Sequence, residues 1–534
     1  MTDVAITSFT SVSDIYDDPN TAAIQTHRWD HLISEFSKRF GRAPTQVCRA
    51  PGRVNLIGEH IDYALFGVFP AAVDRDILIA CAPRSDSSEI RAQNLDGEKY
   101  APQTFTATRI GDAAGAVKGD AWALEIDKTK LRWESYVKAG YFGVLNKFFA
   151  EAGSEPVGVD LLVTGAVPAG SGLSSSAAMV VASTLTFLAM NDKLSSMAKG
   201  DLVEMSVHNE KRVGVNSGGM DQSASVLSLS KQGLYISFYP KLAPTQIPLA
   251  VTSPATSLVI ANSLVVADKV VSAKYHYNLR VVETLVGARV LAKGLGIEVG
   301  PTEKITLREV LAEYMGSSRH DLSWKEDVGA LEIGLQKIDQ EVQKIMGKHE
   351  AGLTFEEMVE ASGLSVEDFK ELYLSSSEVE ATHFHLYKRT LHVFRESLRV
   401  LQFRKISLEA PPNAPDTHLR LGALLNESHA SCRDLFDCSC PELDQLTHLA
   451  RNAGAWGSRL TGAGWGGCSV SMVTEAEVPA FIEKISQEYP PYKGLSKEQL
   501  EQVIFATKPG SGAGSKFFVF LSCRSWQLLI FSSC

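Results

Sequence analysis

The chain has 534 residues, with 52 Lys and Arg against 62 Asp and Glu, a formal charge of −10, and it is 45% hydrophobic. That apolar share suits folded cores and excludes disorder over most of the length. The acidic balance argues against a general nucleic-acid binder, whose footprint is basic.

The first twenty residues, MTDVAITSFTSVSDIYDDPN, carry neither a basic region nor an apolar core, so no secretory signal is expected. Eight cysteines are too sparse for a disulfide framework and are expected as reduced thiols. The longest apolar-rich stretch, Ala177–Met190, contains Ser183, Thr184 and Thr186 and is too short to span a bilayer. These features together predict a cytoplasmic enzyme with no membrane and no nucleic-acid partner.

Residues 1–25 are polar and aperiodic and are expected to form a flexible leader. From about Arg49 to Pro240, β-like and helical patterns alternate. Strands are predicted at Val68–Ala82, Val159–Val167 and Leu234–Tyr239, and helices at Ser135–Ala150 and Ser176–Met190. Pro240–Pro254 reads as a connector, followed by a strand at Ser257–Val266 and a helix at Asn278–Lys293. Residues 300–380 read as charged helical excursions. Ser377 and Glu380 form a capping-box signature opening a core-facing helix with Phe384, Tyr387, Leu391, Phe394, Leu398 and Leu401. Its Lys388, Arg389, Arg395 and Arg399 read as a solvated face.

Three Gly-rich polar segments concentrate the chemistry. Pro168–Ala178, PAGSGLSSSAA, follows an apolar strand and opens a helix. Its glycines permit close backbone approach, its successive N–H groups suit an anion, and its serines can bond phosphate or join a Mg²⁺ shell. A Ser-rich turn capping a helix is the alternative. It is neither a Walker loop nor a dinucleotide GxGxxG, since Ser175 stands at the third glycine position. Gly52–Tyr63, GRVNLIGEHIDY, crowds Arg53, Asn55, Glu59, His60 and Asp62 beside strand-like Val54, Leu56 and Ile57. Planar groups of this kind recognise vicinal hydroxyls, although a strand entering a polar surface loop reads the same way. Asn209–Gln222 places Glu210 on a helix and Asp221 beyond a glycine turn, either as two working carboxylates or with Asp221 as a helix cap. Ser458–Cys468 brings four glycines to one loop ahead of the apolar strand Ser469–Val473. Cys432, Cys438 and Cys440 lack the paired spacing of a zinc site.

The order GRVNLIGEHIDY, PAGSGLSSSAA, GSRLTGAGWGG resembles the GHMP small-molecule kinases, and its first segment resembles the galactokinase signature. The similarity runs from about residue 40 to about 513, with further matches at WESYVKAG, GVNSGGMDQSAS, KYHYNLRVVE and CSCPELDQ. It points to the eukaryotic branch holding galactokinases, N-acetylgalactosamine kinases and galactose-sensing co-inducers that lost catalysis. Those co-inducers lack part of the Ser-Ala run that is intact here at Ser174–Ala178.

The resemblance implies an α+β, two-lobed GHMP kinase fold: an N-terminal ribosomal-protein-S5-domain-2-like lobe over 26–240 and a C-terminal ferredoxin-like lobe with helical excursions over 241–513. It also implies ATP and Mg²⁺, galactose as substrate, and phosphoryl transfer to the anomeric hydroxyl. The alternatives are an N-acetylgalactosamine kinase or a galactose- and ATP-sensing co-inducer. A transcriptional repressor partner would follow only for a bifunctional protein. Matching the family position by position, Arg53, Glu59, His60, Asp62, Gly218, Asp221 and Tyr275 are expected at the sugar, with Asp221 as base and Arg53 as its electrostatic partner. Gly170, Gly172, Ser174 and Ser175 match the nucleotide-phosphate loop, Trp133, Asn262 and Ser263 lie near the nucleotide, and Ser176 and Glu210 match the metal positions. Beyond Ala513 the sequence departs from the family. Residues 514–534 are expected as an atypical apolar tail in which Phe517–Leu521 replaces the lost final strand and Arg524–Cys534 packs poorly.

Overall fold

A computed structural model describes residues 2–518, apart from 111–119, 128–129, 131, 152, 215–217, 267–271, 322, 324–325, 376–377 and 413. Two main sheets organise it. The first is built from β1 (Thr7–Ser8), β2 (Gln46–Ile57), β3 (Phe69–Arg84), β4 (Ile90–Asn94), β5 (Gln103–Phe105), β6 (Gly158–Gly165) and, from the far end of the chain, β11 (Gly514–Phe517). Their order is β1-β11-β2-β3-β6-β4-β5. The second contains β7 (Thr256–Asn262), β8 (Gly457–Thr461), β9 (Cys468–Thr474) and β10 (Ile504–Thr507), antiparallel in the order β8-β9-β7-β10.

Alternation along β3 shows how the first sheet is covered. Leu78, Ala80 and Ala82 point to one face, where Trp29, Leu32 and Phe36 of helix α1 (Pro19–Phe40) close over them. Ile77, Ile79 and Cys81 point to the other, into the main core. Helices α2 (Trp133–Phe148) and α3 (Ser175–Met190) pack together there. Helix α3 is apolar nearly all round, with thirteen residues from Ala177 to Met190 buried except Met179, as a central helix must be. Among the described residues no helix is long and apolar enough to cross a membrane.

Four expectations need correction. The leader is not loose: Phe9, Ile15 and Tyr16 are buried, and α1 starts at Pro19 with Asp18 capping the Thr21 amide at 2.7 Å. The atypical tail does not start at 514, because β11 pairs in register with both β1 and β2; residues 519–534 lie outside the described residues. The Pro-spaced connector holds a strand, Ala243–Pro248, paired with Gln232–Ser237 in a two-stranded ribbon whose edge tolerates Pro244 and Pro248. Finally, the long helix, α7 (Leu386–Glu409), begins later than its supposed cap; Ser377 lies outside the described residues. Two of its four presumed solvated cations are buried: Arg389 pairs with Glu283 at 2.9 Å and Arg399 with Glu396 at 2.7 Å.

Candidate active site

The end of β2, the start of α3 and the loop after β8 meet at one point. Arg53 N donates to Leu173 O at 3.1 Å, so the signature strand runs directly beneath the Gly-rich loop expected to hold phosphate, called the phosphate loop below. Gly172, at φ +76°, turns that loop where a Cβ would lie 2.7 Å from Thr461 O. The three segments that stood apart in the sequence therefore form one wall.

A polar pocket opens there, lined by Arg53, Glu59, His60, Asp62 and Asp221, with Ser176 and Glu210 at its phosphate-loop side. Helices α4 (Lys199–Glu210) and α5 (Met220–Leu227) deliver the last two carboxylates. Arg53 is buried and sends Nε and Nη2 to Asp221 Oδ1 at 2.9 and 2.8 Å. Its Nη1 donates to the carbonyl of Gly172. One guanidinium thus joins the carboxylate to the phosphate loop. Asp221 is not the helix cap: Gly219 occupies that position, with no side-chain cap bond.

Glu59 accepts from the Gly462 amide at 2.8 Å and lies 3.5 Å from Arg459, a fully buried cation on β8. Burial pushes its carboxyl upward, opposed by Arg459 and Arg53. His60 Nε2 donates to Ala463 O at 2.8 Å, and Tyr63 Oη lies 3.1 Å from Nδ1. Gly218 sits so close to Asp62 that a Cβ would collide with its carboxylate and displace it.

Asp62 is raised from 3.8 to about 6, chiefly by burial and then by the Asp221 charge. Between those two values the folded chain holds a proton that the unfolded chain has lost, so this group destabilises the fold as pH rises. Asp62→Asn is therefore expected to raise the ligand-free melting temperature at pH 8, with the gain shrinking toward pH 5. Thermal melts at the two pH values check this; equal shifts at both sink it.

Other expected positions are placed as follows. Ser174 holds φ 60° at the N-cap of α3 with its buried Oγ unpartnered, and Ser175 opens the helix. Gly170 packs beside Val266. Asn262 ends β7 and Ser263 follows it beside the glycine loop, with Ser263 N bonded to Gly467 O at 2.7 Å. Trp133 opens α2 against Tyr100 and does not line the pocket.

Tyr275 is a correction. It is 44% exposed and faces a separate cavity of about 390 Å³ shared with Arg280 and His385. Tyr277, the first residue of helix α6 (Tyr277–Gly294), lines the polar pocket instead, its ring 5.8 Å from that of His60. The motif KYHYNLRVVE holds two tyrosines, and helical spacing separates them: Tyr277 shares a face with buried Arg280 and Thr284. Sequence reasoning also passed over Arg459, which stands inside the third Gly-rich segment, and His392 and Glu396, which lack any local motif.

Arg53→Lys is expected to damage the site although it keeps the charge. Lysine cannot serve Asp221 and the Gly172 carbonyl at once with a planar fork. Unchanged ligand affinity and turnover in this variant would remove Arg53 from the site.

Family models match in three places: the galactokinase galactose-binding signature at 34–83, the GHMP kinases N-terminal domain at 135–228 and the GHMP kinases C-terminal region at 415–491. The chain is 36% identical to the galactokinase of Dictyostelium discoideum over 507 residues, covering 91% of this chain and 93% of that one. A Saccharomyces cerevisiae galactokinase is also 36% identical, with 90% and 93% covered. The fold matches a Lactococcus lactis galactokinase crystallised with galactose at a TM-score of 0.61 and 23% identity, over 91% of this chain and 99% of that one. The chain belongs to the galactokinase family of GHMP kinases.

Proposed function

We propose that the chain is a galactokinase transferring the γ-phosphoryl group of ATP to the anomeric hydroxyl of galactose. The observation that carries this reading is the buried Arg53–Asp221 pair, held between the hydroxyl-recognising loop and the phosphate loop. Phosphoryl transfer passes through a loose transition state, so positioning and charge neutralisation dominate the catalysis. Asp221 orients the sugar hydroxyl and accepts its proton. Arg53 holds that carboxylate in place and sets a fixed cation near the transferring group.

The residues present fit nucleotide phosphates. Ser174 offers an unpartnered buried hydroxyl, and the glycine turn leaves the backbone bare. Ser176 and Glu210 line one side of the pocket and would hold Mg²⁺, which takes few protein ligands and completes its shell from phosphate and water. When bound, the ion neutralises phosphate charge. The buried Gln222 amide bonds Glu210 and fixes the orientation of its carboxylate.

A coupled ADP-release assay with galactose, N-acetylgalactosamine and galactitol in parallel tests the reading. Release is expected with galactose and not with galactitol. Release with the amino sugar alone would change the substrate, and release with none would leave a sensor.

A further inference from the structure

Helix α7 does more than pack. His392 and Glu396 stand four residues apart on one face, both fully buried. The ring nitrogen Nε2 of His392 donates to Glu59 O at 3.0 Å, and Glu396 Oε1 accepts from Gly58 N at 2.9 Å. The stretch they grip leads directly into His60, which holds φ 60°, an uncommon left-handed conformation for a residue other than glycine. Such strain persists only where the surroundings over-determine it.

The surroundings here do so. A carbonyl only accepts, so Nε2 carries the proton, and Nδ1 accepts from Ser431 Oγ at 2.9 Å. Burial pushes His392 down to about 4, which keeps the ring neutral and this tautomer fixed at physiological pH. Arg399 Nε and Ser428 Oγ anchor the Glu396 carboxylate at 2.8 and 2.6 Å. Phe436 packs against both histidines, its ring 4.8 Å from His60 and 4.4 Å from His392.

We infer that His392 and Glu396 are positioning residues for sugar binding, clamping the Gly58–Glu59 stretch so that Glu59, His60 and Asp62 keep their sugar-facing arrangement. This rests on the galactokinase reading. The clamp touches the sugar loop and not the phosphate loop, so its loss falls on galactose and spares ATP.

The test compares wild type, His392→Leu and His392→Gln by calorimetric titration of galactose without nucleotide, by KM for each substrate and by thermal melts. Leucine removes the donor, whereas glutamine restores an N–H near Nε2. His392→Leu is expected to weaken galactose about tenfold, the worth of one buried hydrogen bond, with KM for ATP within about twofold of wild type. His392→Gln should recover most of the loss. Equal rises in both KM values, or an unchanged galactose Kd with a lowered melting temperature, would overturn the clamp. Should His392→Leu not fold, Ser431→Ala releases the tautomer at little cost in volume; weaker galactose with unchanged ATP supports the inference and unchanged galactose overturns it. A wild-type chain that binds no galactose would instead refute the galactokinase reading, so the two failures are distinct.

Discussion

Asp221→Asn is expected to cut kcat by about 10²-fold or more, the usual scale for a general base, while KM for ATP stays near wild type. Asparagine keeps the shape and an oxygen for Arg53 Nε and Nη2, so the Arg53 fork, and with it the tie to the Gly172 carbonyl, survives. What it loses is the negative charge that orients the hydroxyl and takes its proton. A loose transition state demands strong nucleophile activation only late. The loss should therefore appear in kcat more than in galactose affinity. Single-turnover rates measured with saturating ATP and galactose decide the matter. Near-normal turnover would strip Asp221 of its role, and the helix cap cannot replace it, because Gly219 holds that position.

The parts of this site that were legible in the sequence are contiguous ones. Arg53, Glu59, His60 and Asp62 fall within ten residues because a strand end and its loop carry them together. Gly172 and Ser174 share one turn for the same reason. Chemistry demands those residue types at those spacings, and the pattern survives without tertiary knowledge. Residues that act through distant partners leave no such trace. Arg389 looked solvated because its partner Glu283 is 106 positions away. Arg459 lies beside the third glycine loop, but its role depends on carbonyls of Asn55 and Leu56 on β2. Tyr275 and Tyr277 differ only by the residue at which α6 begins, and boundaries are the least certain feature of any pattern. The leader failed for a related reason: it packs through single anchors such as Tyr16, not through a repeating face.

That anchor supports the largest stability effect expected here. Asp76, on β3, is fully buried and accepts from Arg49 Nε, Arg28 Nη1 and Tyr16 Oη, each at 2.5 Å. Arg49, equally buried, also donates to Ser511 O at 2.8 Å and Gly512 O at 3.1 Å. One carboxylate thus ties the leader and α1 to the segment that feeds β11. Asp76→Ala would leave Arg49 buried without its counter-charge, and breaking a buried pair in this way costs about 3–5 kcal/mol. The exposed pair Lys38–Glu35, at 3.2 Å, is the contrast: Glu35→Ala should leave stability unchanged within error. The pH dependence has a definite sign. Arg28 and Arg49 hold Asp76 below 3.8, so its contribution is complete above that value and is lost as pH falls below it. The Asp76→Ala defect should accordingly stand at full size at pH 7 and narrow in acid. Urea midpoints at both pH values measure this, and limited proteolysis should show new cleavage before Pro19 in the variant. A wild-type midpoint with an uncut leader would mean that the apolar contacts of Phe9, Ile15 and Trp29 hold this end of the sheet without the ion cluster.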